Sequence, residues 1–246
     1  MSRDPNAYAS LIANIGLGLA LVSAVAAVFS GEGTRYEIWN FRVGLLILKW
    51  SAYGGLVAAG VSLAGFVLAF RGGSGIAHAL IGIIVGVVLI AVPAYWLEKA
   101  RSVPSIHDIT TDTTDPPRLV SILPLRKNAS NPPDYGGPQI AVQQIRAYPD
   151  IIPFARNIPP EAAFEIALEA SRKMGWKIIE ASRADGRIEA IDTTFWFGFK
   201  DDIVIRVKKN GQGSRVDIRS VSRVGISDIG TNASRIRKFL AEMRNH

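Results

Sequence analysis

The chain has 246 residues, 48% of them hydrophobic, with no cysteine and a formal net charge of +7. The missing cysteines exclude disulfides, thiolate nucleophiles and Cys-ligated metals together, without deciding the compartment. Five Lys/Arg face three Asp/Glu in residues 1–97, and 23 face 18 in the remainder. So dispersed an excess suits a solvated surface near anionic lipid, not the concentrated basic stripe of a nucleic-acid binder.

The apolar content lies almost wholly before Glu98. Residues 11–29 and 76–96 carry no formal charge, and each run is long enough to cross a hydrocarbon core of roughly 30 Å as a helix. Between them the apolar run is best started near Trp50, with Lys49 reaching back to the interface. Residues 1–100 are therefore expected to form three membrane spans, at about 11–29, 50–70 and 76–96. A signal peptide is the competing reading of the first span, but its apolar region is too long and its leader offers only Arg3, offset by Asp4. Three crossings bring Trp39, Trp50, Tyr53, Tyr95 and Trp96 to one interface, as an aromatic belt requires. Gly82 and Gly86 form a GxxxG in the third span, and the pairs Gly55/Ala59 and Gly60/Ala64 repeat small-xxx-small in the second. Both patterns predict helix packing, within the chain or with a partner subunit. Arg3 and Arg71 flank one side of the spans; Arg35, Arg42, Lys49, Lys99 and Arg101 flank the other. The count by itself turns the carboxy-terminal part toward the cytoplasm.

Residues 101–138 change to Pro, Asp, Thr, Ser and Asn, with proline pairs at 116–117 and 132–133, and read as a turn-rich connector. His107, Asp108, Asp112 and Asp115 have no calcium-loop spacing, and Thr/Asp clusters of this kind close local turns, so no metal is expected.

Residues 139–246 are expected to fold as one α+β domain. Pro138–Ala147 is ambiguous between helix and strand. Pro159-Pro160 then precede EAAFEIALEASRKMG, where Ala163, Phe164, Ala167, Leu168 and Met174 trace one helical face and Gly175 supplies the stop. Residues 176–181, 187–194, 202–208 and 214–224 read as four strands. Placing Val207 opposite Val216 puts Ile203, Ile205 and Val207 on one face and sets Arg206 against Asp217 on the other. A last helix opens at Ser227-Asp228, with Ala233, Ile236, Leu240 and Met243 apolar. The expected fold is a two-layer sandwich: a four-stranded antiparallel sheet with flanking helices.

The stretches IHDITTDTTDPP, AYPDI, the helix end MGW, WFGFKDDIVIRV and VDIRSVSRVGISDIGTNASRIRKFL resemble the bacterial and plastid family known as domain of unknown function 1499, over roughly residues 105–240. The resemblance implies a membrane-linked domain and brings no activity. Exported leaders among family members imply a periplasmic domain on a bacterial inner membrane. Against the charge count, that is the reading taken.

Three places invite a functional reading. Asp201 and Asp202 point to opposite faces of a strand and cannot share a proton as a dyad; one is expected to cap a turn and the other to pair with Arg219 or Arg223. Arg219, Ser222, Arg223 and Ser227 approach a helix amino terminus and suit a phosphate or lipid headgroup, unless Asp228 occupies those donors as a cap. Phe195, Trp196, Phe197 and Phe199, beside Lys200, either pack within the fold or form an apolar tip for lipid or a partner protein. No phosphate loop, nucleophile motif or cofactor signature is present. The expectation is a non-enzymatic envelope protein whose partners are the lipid bilayer, a protein or a second copy, and no nucleic acid. The alternative is an accessory subunit of a larger membrane complex.

Overall fold

The computed structural model describes residues 5–71 and 74–245. Arg3 and Asp4, used above for the leader and the charge count, lie outside them. The chain divides into two compact units: Met1–Glu98 with Phe195–Gly198, and Lys99–Thr194 with Phe199–His246.

Helices α1 (Pro5–Arg35), α2 (Phe41–Phe70) and α3 (Ile76–Ser102) are each long and apolar enough to cross a membrane. All three extend beyond the expected spans, and α2 begins well before Trp50 because Asn40 caps it, its side chain accepting from Arg42 N and Val43 N at 3.0 and 3.2 Å. The buried positions of α2 are Gly44, Ser51, Gly55, Ala58, Ser62, Gly65 and Ala69. Those of α1 include Ala9, Ala13, Ala20, Ala27 and Ser30. Both series advance in steps of three, four or seven, the 3.5-residue period of a left-handed helix pair, and every residue in them is small. Backbones consequently approach closely. A Cβ on Gly16 would lie 2.7 Å from Ser62 N, one on Gly65 would lie 2.7 Å from Ala13 N, and one on Gly86 would lie 2.6 Å from Gly55 O. The large apolar side chains Leu56, Val57, Leu63 and Phe70 point outward and are exposed. Gly55, Gly82 and Gly86 thus lie in helix contacts. Gly60 lies outside them, with nothing within 4 Å of its would-be Cβ.

The second unit contains β1 (Asp108–Thr110), a 3-10 turn (Leu123–Arg126), α4 (Gly137–Ala147), β2 (Phe154–Arg156), α5 (Pro160–Lys173), β3 (Lys177–Ser182), β4 (Arg187–Thr193), β5 (Lys200–Asn210), β6 (Gly213–Ser222) and α6 (Thr231–Asn245). Its antiparallel sheet has six strands, not the expected four. The central order is β1-β6-β5-β4-β3, and β2 also pairs with β6. β1 and β2 cover successive stretches of the same β6 edge, at Arg219–Val221 and Ser214–Val216. Three residues are too few to show an alternating pattern, so neither strand announces itself in the sequence. The β5–β6 register is the expected one, with Val207 opposite Val216 and Arg206 opposite Asp217.

One sheet face packs under α5 and α6. Ile188, Ile203, Ile205, Val216 and Ile218 meet Phe164, Leu168, Ile236, Phe239 and Leu240, and Trp176 stacks on Phe239 at 5.6 Å. On the other face Ile191, Val204 and Val221 pack with Leu119 and Ile122. The supposed connector therefore folds back as a third layer, the cover segment. α4, ambiguous in sequence, is a helix that turns Gln144 inward: its side chain accepts from Thr110 N at 3.0 Å and donates to Thr110 O at 2.6 Å.

Gly86→Leu forces a side chain into the Gly55 backbone and should destabilise the helical unit by about 1–3 kcal/mol or more, whereas Gly60→Leu should change little. Thermal melts of the two variants in detergent, followed by circular dichroism, test the difference.

Candidate functional site

The aromatic stretch is divided by the fold. Thr194 and Phe199 close its neck: Thr194 N donates to Phe199 O at 2.9 Å, and Phe199 N donates to Thr194 Oγ1 at 2.8 Å. Within the helical unit, Trp196 Nε1 donates to Val28 O at 3.2 Å, and the indole lies against Gly31, where a Cβ would come within 2.1 Å of its ring. Phe197 is buried, beside Gly44 and edge-on to Trp196 at 5.1 Å. The Arg35 guanidinium donates to Phe195 O. Gly198 has φ +65°, and a Cβ there would lie 2.9 Å from Arg35 Cα, so the position requires glycine twice over. Phe195 is 87% exposed. Phe199 and Lys200 belong to the other unit, where Lys200 opens β5.

The covered face of the sheet is a lattice of paired charges. β4, β5 and β6 alternate, so Glu189, Asp202, Arg206, Asp217 and Arg219 all project toward the cover segment. Glu189 is fully buried and accepts from Val120 N, Ser121 N and Ile122 N at 3.0, 3.1 and 2.9 Å. Arg187 Nε lies 2.9 Å from Glu189 Oε1, an ion pair whose angle does not make a hydrogen bond. Asp202 is held by the Arg126 guanidinium and, through both oxygens, by Arg223. Arg219 donates to both oxygens of Asp108 at 2.9 and 2.7 Å, and to Pro117 O and Pro133 O. Burial pushes the Asp108 carboxyl up, against the pull of Arg219. At the more open end Arg206 bridges Asp112, Asp115 and Asp217, and its field lowers Asp115. A groove of about 230 Å³ opens there beside Arg118, Val120, Asp185 and Lys208.

The opposite face carries a second polar cluster. Arg235 on α6 donates to Asp192 at 2.7 Å, Asp201 at 2.6 Å and Ser220 Oγ at 3.0 Å. Burial raises Asp201, with Arg235 opposing it. Asp201 and Asp202 do diverge to opposite faces; Asp202 takes Arg223 as one of its partners, and Asp201 takes Arg235. The loop before α6 is a cap: Asp228 accepts from Gly230 N at 2.8 Å and Asn232 N at 2.7 Å, and Ser227 Oγ accepts from Ile229 N at 3.1 Å. Ser222 Oγ accepts from Asn232 Nδ2 at 3.0 Å. Of the four residues read as an anion cradle, Arg219 and Arg223 are thus engaged by carboxylates on the covered face, while Ser222 and Ser227 bond on the other side.

Sequence reasoning missed Arg126, Glu189 and Arg235, because the groups that fix them, Asp202, the N–H groups of residues 120–122, and Asp192 with Asp201, are remote in the chain. Among the described residues no group of three His, Asp or Glu side chains is placed to hold a metal ion.

Glu189→Ala should cost about 3–5 kcal/mol, by leaving three N–H groups, that of Ile122 buried, and Arg187 without the carboxylate, and should speed hydrogen exchange at residues 120–122. Asp228→Asn removes the buried charge but keeps only one of the two cap acceptors, its NH2 facing the other backbone N–H. Burial raises Asp228 above its ordinary 3.8, so its share of stability is full below that value and lost as pH rises through the raised folded value. The Asn variant should therefore lie nearest the parent in melting temperature at pH 7 and fall further below it toward pH 4.

The model of the family described as "Protein of unknown function (DUF1499)" matches residues 108–243. No curated protein matches the chain.

Proposed function

The chain belongs to the protein family of unknown function DUF1499, and from that premise we propose that it is a non-enzymatic integral membrane protein. In this reading three spans anchor an α+β unit that binds lipid or a partner protein in the bacterial cell envelope, on the periplasmic side of the inner membrane. The carrying observation is the inverted packing of the helices. Their contacts are lined with Gly, Ala and Ser, while Leu56, Val57, Leu63, Phe70, Ile84 and Val88 face outward, an arrangement that suits a hydrocarbon solvent and would be an aggregation hazard in water. A non-catalytic role is supported by the charges of the α+β unit. Its buried carboxylates each meet a guanidinium or a set of backbone N–H groups inside the fold. Exposed Phe195 is the part of the aromatic stretch that remains available to an external surface.

A second reading, an accessory subunit of a larger membrane complex, is favoured by Gly60 and Ala64. These small residues face outward on α2, as a contact for another helix would.

Because the chain has no cysteine, single thiols report its topology. In intact cells a membrane-impermeant maleimide should label Gln212→Cys and not Ser74→Cys, with the protein resisting alkaline carbonate extraction. Labelling of Ser74→Cys alone reverses the orientation, and release by carbonate sinks the spans.

A further inference from the structure

We propose that the cover segment presents a second membrane contact: the exposed turn of residues 118–127 docks on an anionic lipid surface. The turn has an unusual division of its apolar residues. Leu119 and Ile122 point inward, onto Ile191, Val204 and Val221. Val120, Leu123 and Leu125 point outward, each more than 40% exposed, with exposed Pro124 between the two leucines. Three large apolar side chains in six residues are not left in water by flexibility, because the backbone beneath them is pinned at both ends. Glu189 accepts the N–H groups of Val120, Ser121 and Ile122. Arg126 is tied to Asp202, and Arg223 donates to Leu125 O at 2.8 Å. The turn cannot rotate its leucines inward without breaking buried charge-assisted hydrogen bonds.

Charge selects the occupant. Residues 116–133 contain no Asp or Glu. Arg118 and Lys127 flank the apolar residues, are exposed, and form no ion pair among the described residues. The acids bonded to the turn are engaged within the fold: Glu189 by three N–H groups, Asp202 by Arg126 and Arg223, and Glu180 by Ser121 and Arg187. A protruding turn with three apolar side chains offers far less area than a stable protein interface needs. Interfacial insertion needs only a few apolar side chains backed by cations that meet anionic headgroups. The proposal rests on the membrane reading above, and adds the surface and the lipid class.

The full chain, carrying Leu123→Cys or Leu125→Cys labelled with an environment-sensitive fluorophore, would be reconstituted into phosphatidylcholine vesicles with and without phosphatidylglycerol. Lipid spin-labelled near the headgroup supplies the quencher, and Gln212→Cys the control. Quenching at both leucine positions should exceed the control by about twofold or more when phosphatidylglycerol is present. It should fall on addition of salt and in an Arg118→Gln, Lys127→Gln background. Quenching no greater than the control at every lipid composition overturns the proposal, as does cross-linking of Leu125→Cys between two chains in place of quenching, which would assign the turn to a second copy. A protein that resists carbonate but shows no quenching keeps its spans and loses this contact. One that is extracted by carbonate yet quenched at Leu123 loses the spans and keeps it.

Discussion

The α+β unit depends on a set of buried carboxylates that bind chain segments remote in sequence. Glu189 receives three consecutive backbone N–H groups of the cover segment, Asp202 receives Arg126 and Arg223, and Asp108 receives Arg219. Such pairs add little net stability over a well-packed apolar alternative, but removing one partner strands the other in a low-dielectric interior. Their effect is on geometry: an apolar cover would tolerate a sliding register, whereas a fork of guanidinium donors meets its carboxylate in one position. The lattice therefore explains why a proline-rich, polar segment with almost no regular structure has a defined path over the sheet.

The same constraint accounts for the composition of β6. Its stretch RVDIR, Arg215–Arg219, alternates Val216 and Ile218 for the core under α5 and α6 with charges for the opposite side. In an exposed sheet those charges would be solvated. Here Asp217 and Arg219 are buried, and what looks like a ligand-binding stripe is the inner surface of a third layer. Two short strands complete the protection of β6 by occupying its outer edge, which would otherwise offer unpaired backbone groups.

The helical unit follows the opposite chemistry to a related end. Its buried contact positions are Gly, Ala and Ser, and specificity comes from small or absent side chains: Gly16 against Ser62, Gly65 against Ala13 and Gly86 against Gly55. Close backbone approach lets these helices pack with no large side chain at these contacts. Trp196 and Phe197 use the same device, since Gly31 and Gly44 leave the room those rings fill.

What the sequence determined by itself was everything governed by near neighbours. The long apolar runs, the capped and amphipathic α5 and α6, and the β5–β6 hairpin register are set by residues a few positions apart or by a repeating period. The family was legible too, because its motifs are long. A small-residue period along α1 and α2 was also present to be read, and was seen only in part as GxxxG-like pairs. The tertiary structure alone decided the partners of the isolated charges, the pairing of β1 and β2 with β6, and the fate of the aromatic stretch, with Phe195 outside and Phe197 inside. Each of these is a contact between segments tens of residues or more apart. An arginine carries no local mark of which of several aspartates it will meet, nor a phenylalanine of which glycine will make room for it.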